Sequence, residues 1–291
     1  MHDFEYDAPT SLADALRILE SYPGQARPLA GGTDLIDHLR SDRLSVKRVV
    51  DIKNIPELNR LESTAEGVRL GAAVPCYRIY DDERVNSNYT ALTDSCRIIG
   101  GIQIQSRASV GGNLCNSGPA ADTTPALIAL GARCLLAGPS GTREVPVEEF
   151  CTGPGQNILQ PGELLVEFIL PSREPCSGSH YRRFIPRNEM DIAVVGVAAS
   201  VVLDAGGANF VSARIGLGAV APTPLYAEEA GEFLAGRPVD DATIEEAAEA
   251  TRAIATPIDD MRGTIEFRLH VTKVLAERVI REAVRRAQQV S

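Results

Sequence analysis

Basic residues are in deficit: 29 Lys and Arg face 39 Asp and Glu, a formal net charge of −10. Nucleic-acid binding, which rests on clustered cations against phosphates, is thereby excluded. The basic residues that do cluster, Arg278, Arg281, Arg285 and Arg286, fall in the last turns of a predicted helix, where they complement the negative end of its dipole. No apolar run approaches the ~20 residues that span a bilayer. The start, Met1-His2-Asp3-Phe4-Glu5, lacks the basic stretch and apolar core of a secretory leader. None of the six cysteines forms a C-x-x-C pair, so zinc or iron–sulfur ligation, and any metal site, is not expected in this chain. A cytoplasmic protein with reduced thiols follows. Neither G-x-G-x-x-G nor a Walker A pattern is present, which removes Rossmann and P-loop readings. There is no internal repeat and no low-complexity tract.

What is present is an alternation of short helices and strands. Leu12, Ala15, Leu16 and Leu19 form an apolar stripe at helical spacing behind Thr10-Ser11. A strand is predicted over residues 26–29, a helix over 35–40, strands over 46–52 and 68–73, and a helix over 89–99. A short buried helix is predicted over 124–130, with strands over 133–137 and 164–170. The run 171–179, with two Pro, one Gly and three Ser, is the best linker. Beyond it, 192–203 and 210–220 are long β-type runs separated by the turn Asp204-Ala205-Gly206-Gly207. Two helices finish the chain; the last carries Ile265, Leu269, Thr272, Ala276, Val279 and Ala283 on one face. The class is α+β, with an N-terminal ligand domain and a smaller C-terminal sheet-and-helix domain.

Two segments carry chemistry: Leu29-Ala30-Gly31-Gly32-Thr33-Asp34-Leu35 and Ser109-Val110-Gly111-Gly112-Asn113-Leu114. Each places a glycine pair at the exit of a predicted strand. Paired glycines let backbone approach a ligand and adopt positive φ. Successive free N–H groups then form a concave nest suited to a pyrophosphate. Thr33 and Ser109 add hydroxyls, and Asn113 adds an amide. Either pair taken alone is equally well a tight turn.

Together and in this order, the two loops resemble those of the FAD-binding medium subunits of molybdenum hydroxylases, a group that includes carbon monoxide and xanthine dehydrogenases. The resemblance covers nearly the whole chain. It rests on Phe4-Glu5-Tyr6 with Pro9-Thr10-Ser11, residues 27–35, Ile104 to Asn113, Pro119-Ala120-Ala121-Asp122, Pro161-Gly162-Glu163, Arg187 with Asp191-Ile192-Ala193, Ala221-Pro222-Thr223-Pro224, Asp260-Met261-Arg262-Gly263 and Glu266-Phe267-Arg268. Departures are Gln105-Ser106 in place of Arg-Asn, Ala108-Ser109 in place of Gly-Thr, and Ile192 where one branch carries an aromatic. The cysteine-rich insert that holds an extra [4Fe–4S] cluster in one subgroup is missing.

The resemblance implies a two-part FAD-binding domain of the vanillyl-alcohol-oxidase type over residues 1–175, with sub-parts of about 1–54 and 55–175. A C-terminal domain of the carbon monoxide dehydrogenase flavoprotein type follows over 179–291. It implies non-covalent FAD, held by Pro28, Leu29, Ala30, Gly31, Gly32, Thr33, Asp34, Ser109, Val110, Gly111, Gly112 and Asn113. Asp122 would accept a hydrogen bond from the cofactor, or else cap a helix. Leu165 would pack near the flavin, or else belong to the core. Arg183 aligns with a basic residue near the isoalloxazine or nicotinamide site, or else is a solvated surface Arg. His180 has no evident partner, and His38 follows the first loop. No side chain here is expected to be catalytic. A large partner subunit would carry the molybdenum cofactor and a small one two [2Fe–2S] clusters, in a dimer of heterotrimers, with electrons leaving through FAD to an acceptor such as NAD. The C-terminal domain, with an exposed final helix, is expected to supply part of the docking surface. Two alternatives stand beside this: a stand-alone FAD-dependent oxidase or reductase, and a scaffolding protein with a decayed flavin site.

Overall fold

Residues 2–187 and 190–289 are described by the computed structural model. The chain begins with β1 (Glu5–Asp7), α1 (Leu12–Ser21), β2 (Ala26–Leu29), α2 (Leu35–Arg40) and β3 (Arg48–Asp51). The strands form a parallel sheet of order β1-β3-β2. Parallel neighbours need a crossover, and the two helices supply it. Helix α1 starts where the Ser11 hydroxyl accepts from the Asp14 N–H at 3.2 Å, a cap that satisfies one orphan donor. It buries Ala15 and Leu19 in a cluster with Val50, Ile52 and Ile55.

A second unit follows: β4 (Leu61–Thr64), β5 (Gly67–Gly71), then six short helices, α3 (Cys76–Asp81), α4 (Glu83–Asn88), α5 (Thr90–Cys96), α6 (Ile102–Gln105), α7 (Val110–Asn116) and α8 (Thr123–Ala129). Strands β6 (Arg133–Gly138) and β7 (Gly141–Pro146), the small hairpin β8 (Cys151–Gly153) and β9 (Gln156–Asn157), and β10 (Leu164–Pro171) complete it. The antiparallel sheet has the order β4-β5-β10-β6-β7. Central β10 is buried on both faces, which accounts for an apolar run broken only by Glu167, itself paired with Arg69. Phe168, Leu136, Leu70, Ile79 and Leu127 meet in the core beneath it.

The third unit is an antiparallel sheet of β11 (Ser177–Phe184), β12 (Val195–Leu203), β13 (Phe210–Gly218) and β14 (Leu225–Tyr226), in that order, with α9 (Glu228–Leu234), α10 (Asp241–Ala253) and α11 (Ile265–Gln288). Alternation along β12 serves two contacts. Val195, Val197, Ala199 and Val201 join a cluster with Leu275, Val279 and Ala283 of α11, whereas Ala198 packs with Ala91 and Ala126 of the second unit.

Several expectations are corrected here. The linker shrinks, because β10 runs through Pro171 and β11 already begins at Ser177. Three helices, not two, follow the last sheet; α9 is a seven-residue helix too short to declare itself by periodicity. The final helix is not an exposed face: ten of its residues are buried, Thr272, Ala276, Val279 and Ala283 among them. Arg286 at its end does more than meet the helix dipole, since its Nη1 donates to Asp94 Oδ2 at 2.7 Å. His180 does have a partner, with its Nδ1 2.6 Å from the same carboxylate oxygen.

Candidate cofactor cleft

A cavity of about 840 Å³ opens between the first two units, in the upper part of the ~300–1,000 Å³ range of small-molecule sites. One wall comes from the β2–α2 connection, another from the start of α7, and a third from the stretch between β9 and β10.

The β2–α2 connection leaves the parallel sheet at Leu29. Gly31 is required by close approach: a Cβ there would lie 1.9 Å from the Arg107 carbonyl oxygen. Gly32 has φ +77°, the left-handed region open chiefly to glycine. Regular hydrogen bonding resumes with Ile36 N–H donating to Gly32 O at 3.1 Å and His38 N–H to Asp34 O at 2.9 Å. Among the described residues, the N–H groups of Gly31, Gly32, Thr33 and Asp34 donate to no protein acceptor. All four residues line the cavity. This is a nest of unspent donors, the arrangement that receives an anion.

The second glycine segment is built differently. It does not leave a strand; Val110 to Asn116 is helix α7. Ser109 caps it, its Oγ accepting from Gly112 N–H at 3.1 Å. Gly111 N–H donates to Ala72 O at 3.2 Å, and Asn113 N–H to Ser109 O at 3.0 Å. The expected nest is therefore absent here, because the helix and its cap consume these donors. Gly111 is present for packing: a Cβ would sit 2.4 Å from Ala72 O. Asn113 Oδ1 accepts from Thr123 N–H at 3.2 Å and Thr123 Oγ1 at 2.7 Å, which turns the amide nitrogen into its remaining donor.

Of the residues singled out in sequence, Pro28, Ala30, Gly31, Gly32, Thr33, Asp34, Ser109, Gly111, Gly112, Asn113 and Leu165 line the cavity. Leu165 is also only 2% exposed and belongs to the second core, so one side chain serves both the core and the cavity wall. Leu29 and Val110 pack elsewhere, Leu29 against the Leu39–Val49 cluster and Val110 in the second core.

Asp122 and Arg183 do not line the cavity; they bind each other. Arg183 Nη1 donates to Asp122 Oδ2 at 2.6 Å and Nη2 to Ile98 O at 2.8 Å, while the Tyr181 hydroxyl donates to Asp122 Oδ1 at 2.8 Å. The Arg183 side chain is 5% exposed, which rules out a solvated surface residue. Asp122 precedes α8 but makes no capping bond. Burial pushes its carboxyl up to about 6, against the pull of Arg183 and Tyr181. Burial first, and then Asp122, holds the Tyr181 phenol well above its ordinary range. The pair crosses the seam between α8 and β11.

Sequence reasoning missed Arg43, Leu44, Gln156, Asn157, Leu159 and Gln160, all cavity-lining. Arg27 and Arg43 line the cavity and form no ion pair among the described residues. The available signals were slight: Arg27 adjoins the first loop, and Gly155 and Gly162, both at positive φ, frame the second stretch. Among the described residues no group of three or more His, Cys, Asp or Glu could hold a metal ion, and no helix is long and apolar enough to cross a membrane. The cleft offers backbone donors and shape, and Arg27, Asp34, His38, Arg43 and Glu163 bring charged or titratable side chains to its wall.

Residues 2–173 match the family described as the FAD binding domain in molybdopterin dehydrogenase, and residues 180–283 the CO dehydrogenase flavoprotein C-terminal domain. The chain is 34% identical to a putative xanthine dehydrogenase FAD-binding subunit of Escherichia coli, over 98% of this chain and 97% of that one. It is 32% identical to the carbon monoxide dehydrogenase medium chain of Afipia carboxidovorans, over 98% of each. A chain of the crystal structure of the cyanide-inactivated Cu,Mo-CO dehydrogenase superposes with a TM-score of 0.93 at 31% identity, covering 97% of this chain and 98% of that chain.

Proposed function

We propose, from the premise that the chain belongs to the FAD-binding subunits of the molybdenum hydroxylase family, that it is the exit relay of a multi-subunit dehydrogenase. The observation that carries this is the row of four unspent N–H groups at Gly31–Asp34 on the wall of a dinucleotide-sized cleft. They fit a pyrophosphate without a basic patch, which suits a chain of net charge −10.

In this reading FAD is held non-covalently. The backbone of residues 30–34 receives the pyrophosphate, with Arg27 and Arg43 near enough on the same cavity to balance its charge. The Asn113 amide, Gly112 and Leu165 present one donor, one bare stretch of backbone and one apolar surface to the rest of the cofactor. Bound FAD supplies the coupling between one-electron donors and a two-electron acceptor such as NAD. The protein's share is binding, orientation and exclusion of water. Asp122 and Arg183, paired with each other, fix β11 against α8 and so hold the third unit in place. The partners are a small subunit with two [2Fe–2S] clusters and a large subunit with the molybdenum cofactor. The heterotrimer pairs into a dimer of heterotrimers in the cytoplasm.

The test is a pair of measurements. The purified chain should release FAD on acid or heat treatment and, alone, reduce its flavin with no purine, aldehyde, aromatic or carbon monoxide substrate; with both partners added, substrate-driven reduction appears. Retention of FMN alone, or substrate-dependent flavin reduction without partners, would point to the stand-alone oxidase.

A further inference from the structure

Gln105 ends helix α6 and is 6% exposed. An amide at that depth is costly unless both of its ends are paired. Its Nε2 donates to Arg97 O at 2.7 Å and to Ile99 O at 3.3 Å, and its Oε1 accepts from the Tyr80 hydroxyl at 3.0 Å. Both amide donors thus go to main-chain carbonyls. The backbone N–H of the same residue donates to Gly101 O at 3.1 Å. Glu at this position would have no donor for the carbonyls, and Arg or Lys would have no acceptor for Tyr80. Arg is what the resembled subunits carry here, so the pairing with Tyr80 belongs to this chain's departure from them.

The carbonyls that Gln105 holds belong to the connection between α5 and α6, residues 97–101, which lies outside helix and strand. Gly100 takes φ +53° there. Between the two held carbonyls, Ile98 O accepts from Arg183 Nη2 at 2.8 Å. Three successive carbonyls are therefore fixed by buried side chains, two of them by one amide. Within this connection it is Ile99 that lines the cavity, and its side chain also belongs to the second core. Gln105 itself does not line the cavity. It holds the carbonyl of Ile99 and that of Arg97 two residues before, so the backbone that aims Ile99 is set from behind the wall.

We infer that Gln105 is a positioning residue for the cofactor: by holding the carbonyls of Arg97 and Ile99, it keeps the Ile99 side chain on the cleft wall, where that side chain packs against bound FAD. The inference rests on the FAD reading proposed above and adds to it a residue that never touches the ligand. A binding wall is only as well placed as the groups that support it from behind.

The test is FAD titration of the full apo chain, with folding checked by circular dichroism. Gln105→Leu should weaken FAD binding at least about tenfold, and Ile99→Ala by a similar factor. Because Gln105 acts through Ile99, the double variant should lose about what the worse single variant loses, whereas independent effects would multiply to about a hundredfold. Tyr80→Phe removes the hydroxyl from Oε1 and leaves both carbonyls held; the apo Tm should fall while FAD affinity stays within about threefold of wild type. FAD affinity kept within about threefold in Gln105→Leu overturns the inference, as do losses that multiply in the double variant. An FAD loss in Tyr80→Phe equal to that in Gln105→Leu also overturns it, since the network would then be structural only. If Gln105→Leu does not fold, Gln105→Met, of the same length without polar ends, decides in its place. A wild-type chain that binds no FAD refutes the cofactor reading itself, an outcome separate from any variant.

Discussion

The two glycine pairs look interchangeable as sequence, each flanked by a hydroxyl residue and each on the wall of one cleft. Their physics differs. Gly31-Gly32 leaves a strand and spends none of the N–H groups from Gly31 to Asp34 on the protein. Gly111-Gly112 is the first turn of a helix whose donors go to Ala72 O and Ser109 Oγ. The first pair prepares backbone for a ligand; the second allows α7 to lie against the backbone at Ala72 and places Asn113 and Gly112 on the cavity. A glycine pair thus reports close approach, but the identity of what approaches, ligand or protein, depends on where the hydrogen bonds go.

The largest effect should come from the end of the second segment, where the chain reaches Asp122. Asp122→Ala leaves Arg183 and the Tyr181 hydroxyl buried without their shared acceptor and should cost about 3–5 kcal/mol at pH 7.5, read by denaturant unfolding. The parent protein should also show a pH slope. The Asp122 carboxyl rises from its ordinary 3.8 to about 6 on folding, so the native state holds the extra proton between these values. Stability should therefore fall as pH rises through that window, by something on the order of 3 kcal/mol, and level off above it. Asn at this position should remove that slope while FAD content at low temperature persists. Flavin lost with stability intact would place Asp122 on the cofactor instead.

Next come the two close-approach glycines. Gly31→Ala and Gly111→Ala each push a methyl into a carbonyl, and each should cost about 1–3 kcal/mol of apo stability. They should part on cofactor: Gly31→Ala displaces the nest and should weaken FAD binding at least about tenfold, whereas Gly111→Ala should hold it within a few-fold, by flavin titration. FAD lost from Gly111→Ala at unchanged apo stability would show that the second segment is a phosphate loop after all.

The smallest effects separate the hydroxyls. Ser109 Oγ caps α7, so Ser109→Ala should lower stability by about 0.5–2 kcal/mol with modest change in FAD affinity. Thr33 is exposed on the cavity wall and its hydroxyl has no protein partner among the described residues; Thr33→Ala should leave apo stability within about 0.5 kcal/mol and act, if at all, on FAD. Equal Tm shifts in the two apo variants would erase the distinction between the loops.

Local signals were legible where one interaction dominates. The strand Ala26–Leu29 and helix Leu35–Arg40 are found at the predicted residues, because apolar patterning and a glycine break coincide there. The helices from α3 to α7 are mostly invisible in sequence: four to seven residues contain too few turns for a 3.6-residue period. Strand β11 was read partly as linker because Ser177, Ser179, His180, Arg182 and Arg183 carry no β pattern. Their partners lie far along the chain: Thr90 with Ser179, Asp94 with His180 and Arg286, Asp122 with Arg183.

The sequence by itself determined the α+β class, the family and the cofactor it implies, and eleven of the fifteen residues it singled out for the cofactor lie on the cleft, since a turn glycine, a helix cap and an apolar stripe act within a few residues of chain. Tertiary structure alone decided which donors remain free, and that Asp122 and Arg183 answer each other across the seam. Those facts depend on the pairing of groups 61 to 192 residues apart in the chain, and a buried polar group is satisfied by whatever the fold brings next to it, whatever its neighbours in sequence.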